Sequence, residues 1–230
     1  MKNLRKFRIL VILLLIPVSV LSQDCELYFS LDEGTVQKIA HYNNKDKLTG
    51  TTEILIAEKR EIAGGMEVKL EQTYVDEKDN SFEANMMIEC VNGVLYFDMN
   101  DFLDPNTMMA YEGMEIEVSA DKLPFPSDAK PGDQLENGVI TATIRQSGVK
   151  IMTIVVEVFD RMVEAEETIE TPAGSFECLK IKYNVSSQFG FVKMNMSNIE
   201  WFNWKVGTVR AENYNKKGKL TDYTVLQEIN

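Results

Sequence analysis

The chain is poor in the side chains that most enzymes depend on. It holds one histidine, three cysteines, two tryptophans and six prolines among 230 residues. A Ser/His/Asp triad would have to recruit His41, in Lys38-Ile39-Ala40-His41-Tyr42, and no Gly-x-Ser-x-Gly elbow supplies the nucleophile. Zinc sites draw on clusters of histidine and cysteine, whereas Cys25, Cys90 and Cys178 stand far apart with no Cys-x-x-Cys pair. No phosphate-binding loop and no dinucleotide fingerprint occurs. These absences leave no catalytic residue, metal or cofactor to assign. Basic residues are also scarce: 24 Lys and Arg face 36 Asp and Glu, a formal charge of −12. Such a surface repels phosphate backbones, which argues against nucleic acid as a partner, and anionic membrane faces for the same reason. The acids are dispersed along the chain, the pattern of a solvated exterior.

What is present begins with a leader. Lys2, Arg5, Lys6 and Arg8 precede an apolar run from Ile9 to Leu21, and Val20 and Ser22 are small enough for the −3 and −1 positions of a signal-peptidase site. Residues 1–22 are therefore expected to be a cleaved signal peptide, with Gln23 as the mature N-terminus and residues 23–230 as a single β-domain. The run is shorter than the roughly 20 residues of a spanning helix, so no transmembrane segment is expected after cleavage. Cys25 follows Asp24, where a lipid-modified cysteine wants a small residue, and lipidation is not expected. Export, to the periplasm or the cell surface, permits a disulfide. An odd number of cysteines leaves at least one thiol unpaired, and the spacing does not choose the pair.

Period-two alternation dominates the mature chain. Met66, Val68, Leu70 and Tyr74 share one face of a run; Met152, Ile154, Val156 and Val158 another; Leu179, Ile181, Tyr183 and Val185 a third; Val192, Met194 and Met196 a fourth. These read as half-buried strands. Turn-forming stretches separate them, among them Gly64-Gly65, Asp76-Glu77-Lys78-Asp79-Asn80, Asn92-Gly93, Ser147-Gly148 and Pro172-Ala173-Gly174. The rhythm predicts an all-β, antiparallel fold: a large curved sheet, barrel or half-barrel, with two packed half-sheets as the alternative. Tyr42-Asn43-Asn44-Lys45-Asp46-Lys47-Leu48-Thr49 echoes Tyr214-Asn215-Lys216-Lys217-Gly218-Lys219-Leu220-Thr221. One hairpin solution reached twice explains the echo more simply than a duplicated half-sheet.

Residues 99–134 break the rhythm, with room for a short helix near 100–110. This excursion carries Phe102, Met108, Met109, Met114 and Phe125, more apolar groups than a water-facing loop needs. They are read either as the cover of an open barrel end or as the mouth of an apolar ligand pocket. Eleven methionines follow the leader, and Met suits adaptable apolar pockets as well as ordinary cores. Trp201 and Trp204 are read as aromatic surface for sugar or protein contact, or as the wall of a core.

Glu170-Thr171-Pro172-Ala173-Gly174-Ser175-Phe176-Glu177-Cys178, followed by Glu200-Trp201-Phe202 and Val206-Gly207-Thr208-Val209-Arg210, resembles the TapB-like, DUF-labelled exported proteins of Bacteroidetes-type genomes. In that pattern a Thr-Pro-Ala-Gly turn leads into a strand, and a Trp-Phe segment and a Val-Gly-x-Val strand follow. The usual Trp-Phe-Ala-Pro-Gly-x-Gly is replaced here by Trp201-Phe202-Asn203-Trp204-Lys205-Val206-Gly207. The resemblance implies a periplasmic or surface β-fold and supplies no catalytic residues. Two functional readings follow. The first is a non-catalytic envelope protein that binds an apolar or amphipathic ligand or a protein partner. The alternative is a carbohydrate-active enzyme or binding module with an acidic cleft beside Trp201 and Trp204; with acids as abundant as Glu164, Glu166 and Glu167, no single carboxylate pair stands out.

Overall fold

The computed structural model describes residues 25, 30–103, 111 and 113–230. The expected leader, Met108 and Met109 lie outside these residues, as does the side chain of Phe102. Thirteen strands follow one another: β1 (Val36–Asn43), β2 (Leu48–Ile62), β3 (Gly65–Asp76), β4 (Ser81–Val91), β5 (Val94–Asp98), β6 (Glu115–Ala120), β7 (Lys122–Pro126), β8 (Gly138–Gln146), β9 (Val149–Thr171), β10 (Gly174–Phe189), β11 (Val192–Asn203), β12 (Gly207–Asn215) and β13 (Leu220–Ile229). They form one antiparallel sheet in the order β6-β8-β9-β10-β11-β12-β13-β1-β2-β3-β4-β5-β7. The expected all-β curved sheet is present as a nearly closed barrel. Among the described residues of the excursion, the helical element is a 3-10 turn, Met99–Phe102, capped by the Asp98 carboxylate.

Closure follows from the chain path. The two edge strands, β6 and β7, are consecutive and joined by Asp121 alone. The sheet's two edges are thereby brought to one corner. There the Asp121 amide donates to the Val139 carbonyl, its carboxylate accepts from the Val139 amide at 2.9 Å, and its carbonyl accepts from the Met99 amide. Further along the seam, residues 132–135 lie against β9, with Gly132 bonded to Val163 and Leu135 to Arg161. An unpaired strand edge exposes a row of orphan amides and carbonyls, and these contacts cover part of it.

The inward positions carry the alternation read from sequence. Ile56, Val68, Leu70 and Ile88 on one wall pack with Val163, Leu179, Ile181 and Phe202 on the other. Rings meet across the interior: Phe97 and Phe125 lie 6.1 and 5.2 Å from Phe202, both edge-on. Trp204 stacks on Phe125 at 4.6 Å. Cys25 and Cys90, bridged with their Cα atoms 5.8 Å apart, belong to this same core. Cys178 is the free, buried thiol, pushed by burial up to about 12, so it stays protonated and unreactive.

Three hairpin tips share one construction. The side chain of Asn43 accepts from the amides of Lys45 and Lys47, that of Asp76 from Lys78 and Asn80, and that of Asn215 from Lys217 and Lys219. In each the fourth residue, Asp46, Asp79 or Gly218, has positive φ, a conformation that Asp tolerates and Gly prefers. The third occurrence, outside the echoing pair, identifies the echo as hairpin chemistry, in which a short polar side chain mimics a backbone turn.

The disulfide ties the N-terminal segment to β4 across 65 residues. Constraining a loop of that length stabilises by about 2–4 kcal/mol. Cys25→Ala, or reduction, is expected to lower the unfolding free energy by that amount in urea titrations. An unchanged midpoint would show that the bridge contributes nothing to the folded state.

Candidate functional site

The barrel is not filled. A cavity of about 310 Å³ lies inside it, at the lower end of the size range of small-molecule sites. Most of its wall is apolar: Ile39 and Ile54 from β1 and β2, Leu70, Met86 and Ile88 from β3 and β4, Phe97, Leu123 and Phe125 from β5 and β7, and Val158, Ile181 and Phe202 from β9 to β11. Every one of these follows from strand alternation. The void arises because thirteen strands enclose a wider lumen than their inward side chains occupy.

Arg161 is set against this apolar wall by a backbone irregularity. Along β9, Ile154, Val156 and Val158 point inward, and strict alternation would next turn Asp160 inward. A bulge intervenes: β9 and β10 lose register between Lys182 and Asn184, and Asp160 has φ of +54°. The extra residue shifts the phase, so that Arg161 faces the core, where it is 7 % exposed. Its Nη1 donates to the carbonyls of Glu136, at 2.6 Å, and of Pro124 on edge strand β7, at 3.1 Å. Arg161 therefore clips the seam as well as lining the cavity.

Tyr183 and Glu200 complete the polar group. Their side chains are surrounded by protein, yet both keep accessible surface, because that surface belongs to the cavity. Burial raises the Glu200 carboxyl above the ordinary carboxylate range; a hydrogen bond from the Thr208 hydroxyl and the charge of Arg161 oppose this. Burial likewise raises the Tyr183 phenol, with a further push from Glu200, so that it stays protonated. The Arg161 guanidinium is shifted down by desolvation but remains a cation, as arginine does throughout proteins. Gln37 spends its amide on the Val206 carbonyl at 2.8 Å, and Asp98, also on the lining, caps the 3-10 turn.

The residues singled out in the sequence fall in different places. Phe125 lines the cavity, and its neighbours Phe97, Asp98 and Leu123 do too. Met114 packs instead with Ala142, Ile144 and Ile154, nearer the β6–β8 edge. Phe102 has its backbone in the 3-10 turn. Trp204 stands in the core against Phe125 and Phe202.

Trp201 is not aromatic surface: it is 7 % exposed, donates its indole N–H to Glu167 at 2.7 Å, and is flanked by Lys180 and Arg210 at 5.6 and 5.8 Å. The long cationic side chains cover the ring and hold it by cation–π attraction. That indole bond, then Lys180, keeps the Glu167 carboxyl below its usual range. Arg161, Tyr183 and Glu200 were not picked out from the sequence. Arg161 stands where alternation points outward, and only the Asp160 bulge reveals it. Glu200 occupies an inward position on β11, a legible anomaly that its place beside Trp201 obscured.

A nearly closed antiparallel barrel with an apolar lumen and a small polar group on one wall defines the class. The chain belongs to the DUF3108-like family, whose model matches residues 32–226. Two solved structures share the architecture. A Bacteroides fragilis protein, described as exported and of YmcC-like fold, is 27% identical with a TM-score of 0.70, covering 88% of this chain and 98% of its own. A Parabacteroides distasonis protein, described as a lipoprotein, is 23% identical with a TM-score of 0.70, covering 86% and 96%. No curated protein matches the chain. The resemblance to DUF-labelled exported proteins, read from residues 170–210, is thus confirmed by the family match.

Glu200 has a consequence for stability. Its carboxyl is raised in the folded state, so the fold binds this proton more tightly than the unfolded chain does. The neutral form is compatible with the fold at low pH, and stability is lost as pH climbs above the ordinary value of 4.5 through the raised one. Glu200→Gln is expected to match wild type at low pH and to exceed it at neutral pH in urea titrations. Parallel pH profiles for the two proteins would contradict the assignment.

Proposed function

We propose that this is a non-catalytic exported envelope protein that holds an apolar or amphipathic molecule inside its barrel. The observation that carries the reading is the 310 Å³ lumen, apolar over most of its wall and polar only around Arg161, Tyr183 and Glu200. An apolar cavity of this size in an otherwise close-packed domain sacrifices dispersion contacts, and a ligand restores them. Exposed apolar side chains lie beyond the cavity on the same inward faces. On β4 the inward series Ile88, Met86, Ala84, Phe82 runs from the buried core to a ring 38% exposed. On β11 the series Glu200, Asn198, Met196, Met194 ends in methionines 41% and 51% exposed. Side chains on the concave face of a sheet are this exposed only where the barrel is open, and Met is suited to a surface that adapts to its cargo.

Export agrees with the leader at 1–22, with the Cys25–Cys90 bridge, and with the descriptions of the two similar structures. The bridge also bears on the mode of attachment. A Cys25 thiol committed to Cys90 is not free to carry a lipid, so the chain is released and not anchored there. N-terminal sequencing of protein from an envelope fraction should begin at Gln23; a chain starting at a lipid-blocked Cys25 would overturn this part.

Cavity binding is tested by filling the cavity. Met86→Trp places an indole in the lumen from a half-buried, flexible position. It is expected to weaken binding of the neutral dye N-phenylnaphthylamine at least about tenfold, with the melting temperature changed by only a few degrees. Native mass spectrometry of wild-type protein from its own envelope should show a co-purifying small molecule that the variant lacks. Equal dye binding by both proteins would sink the proposal.

A further inference from the structure

The polar corner of the cavity limits what its occupant can be. Arg161 is deeply buried, and its Nη1 is spent on two backbone carbonyls. Its Nε and Nη2 donors meet no protein acceptor among the described residues, and it forms no direct ion pair there. Tyr183, opposite the Asp160 bulge on β10, likewise presents its hydroxyl to the cavity with no hydrogen-bond partner among the described residues. Glu200 is turned aside to the Thr208 hydroxyl. Glu200 and Glu136 act on Arg161 only from beyond ion-pair distance; a buried cation without a direct partner is costly, by several kcal/mol in real proteins, and proteins normally pair such a group.

We propose that the cavity takes an amphiphile with a carboxylate head, seated on the free guanidinium donors of Arg161 and the hydroxyl of Tyr183, its hydrocarbon part lying against Ile54, Leu70, Met86 and Ile88. This rests on the cavity-binding reading above and adds the chemistry of the head group. A planar carboxylate matches the guanidinium fork, which can donate through Nε and Nη2 together. A phenol that stays protonated can give one further bond. Burial raises the Glu200 carboxyl, so it offsets the charge of Arg161 less than an ordinary carboxylate would. An amine head would find Arg161 repelling it.

The test uses three molecules of equal chain length on the wild-type protein: dodecanoate, dodecanol and dodecylamine, each displacing N-phenylnaphthylamine at neutral pH. Dodecanoate is expected to displace the dye at a concentration at least about tenfold below dodecanol, the effect of charge-assisted hydrogen bonds in a dry site, with dodecylamine weakest. Arg161→Lys should keep part of the preference for acid over alcohol, Arg161→Gln should abolish it while leaving dodecanol unchanged, and Tyr183→Phe should reduce it. Because the wild-type ranking decides the matter alone, a poorly folding Arg161 variant does not rescue the idea. Equal displacement by dodecanoate and dodecanol would overturn the head-group assignment and leave the cavity reading intact. Tightest binding of dodecylamine would overturn it as well, by showing Glu200 to be the operative charge. Failure of all three, with the dye still bound, would overturn the cavity reading itself.

Discussion

Everything in this molecule depends on closing a thirteen-stranded sheet whose two edges belong to one stretch of chain, residues 115–126. An open sheet of this width would present orphan backbone groups at each side and could pair with another molecule. Here the chain steps from one edge to the other through Asp121, whose backbone and carboxylate serve Met99 and Val139 at once. Residues 132–135 then lie along β9 just before β8 begins. The seam is a composite of backbone bonds, one carboxylate and one guanidinium, where a complete barrel would have a regular ladder.

Arg161 joins closure to the cavity. Its Nη1 is spent on the seam, accepted by carbonyls of Pro124 and Glu136, and the residue also lines the lumen. The same bulge that turns it inward sets it opposite Tyr183. A residue that seals the barrel wall is thus also the strongest polar feature the interior offers. A cation used only for closure would be better placed at the wet rim, where its hydration is kept. Its depth is therefore informative, since burying charge is tolerated where something is gained from it.

The barrel's ends differ in character. Near Cys25, Phe125, Phe202 and Trp204 the interior is plugged by rings and a disulfide. Towards Phe82, Met194 and Met196 the inward face carries exposed apolar side chains. One end is thus cross-linked, and the opposite end is rich in methionine, a side chain that adapts its shape. The acidic exterior repels like-charged surfaces, while the cation Arg161 is buried inside.

The sequence alone determined the fold class. Alternation places Val68 and Leu70, Ile154 and Val156, Ile181 and Tyr183 on single faces because side chains in a strand alternate with a fixed period of two, and short polar turns such as Asn43–Lys47 dictate hairpins through local hydrogen bonds. These are short-range effects, and they are written in short windows. The family likeness at 170–210 was equally local.

Three things were decided only by tertiary structure. The choice of Cys25 and Cys90 as the bridged pair depends on where the N-terminal segment meets β4. The burial of Trp201 depends on Lys180 and Arg210 arriving from neighbouring strands. The convergence of Arg161, Tyr183 and Glu200 depends on one bulged residue, Asp160, and on how widely the strands splay around the lumen. A bulge reverses inside and outside until the next irregularity, here between Lys180 and Ile181, and no periodic pattern announces where it falls, because its cost is met by contacts made across the whole barrel.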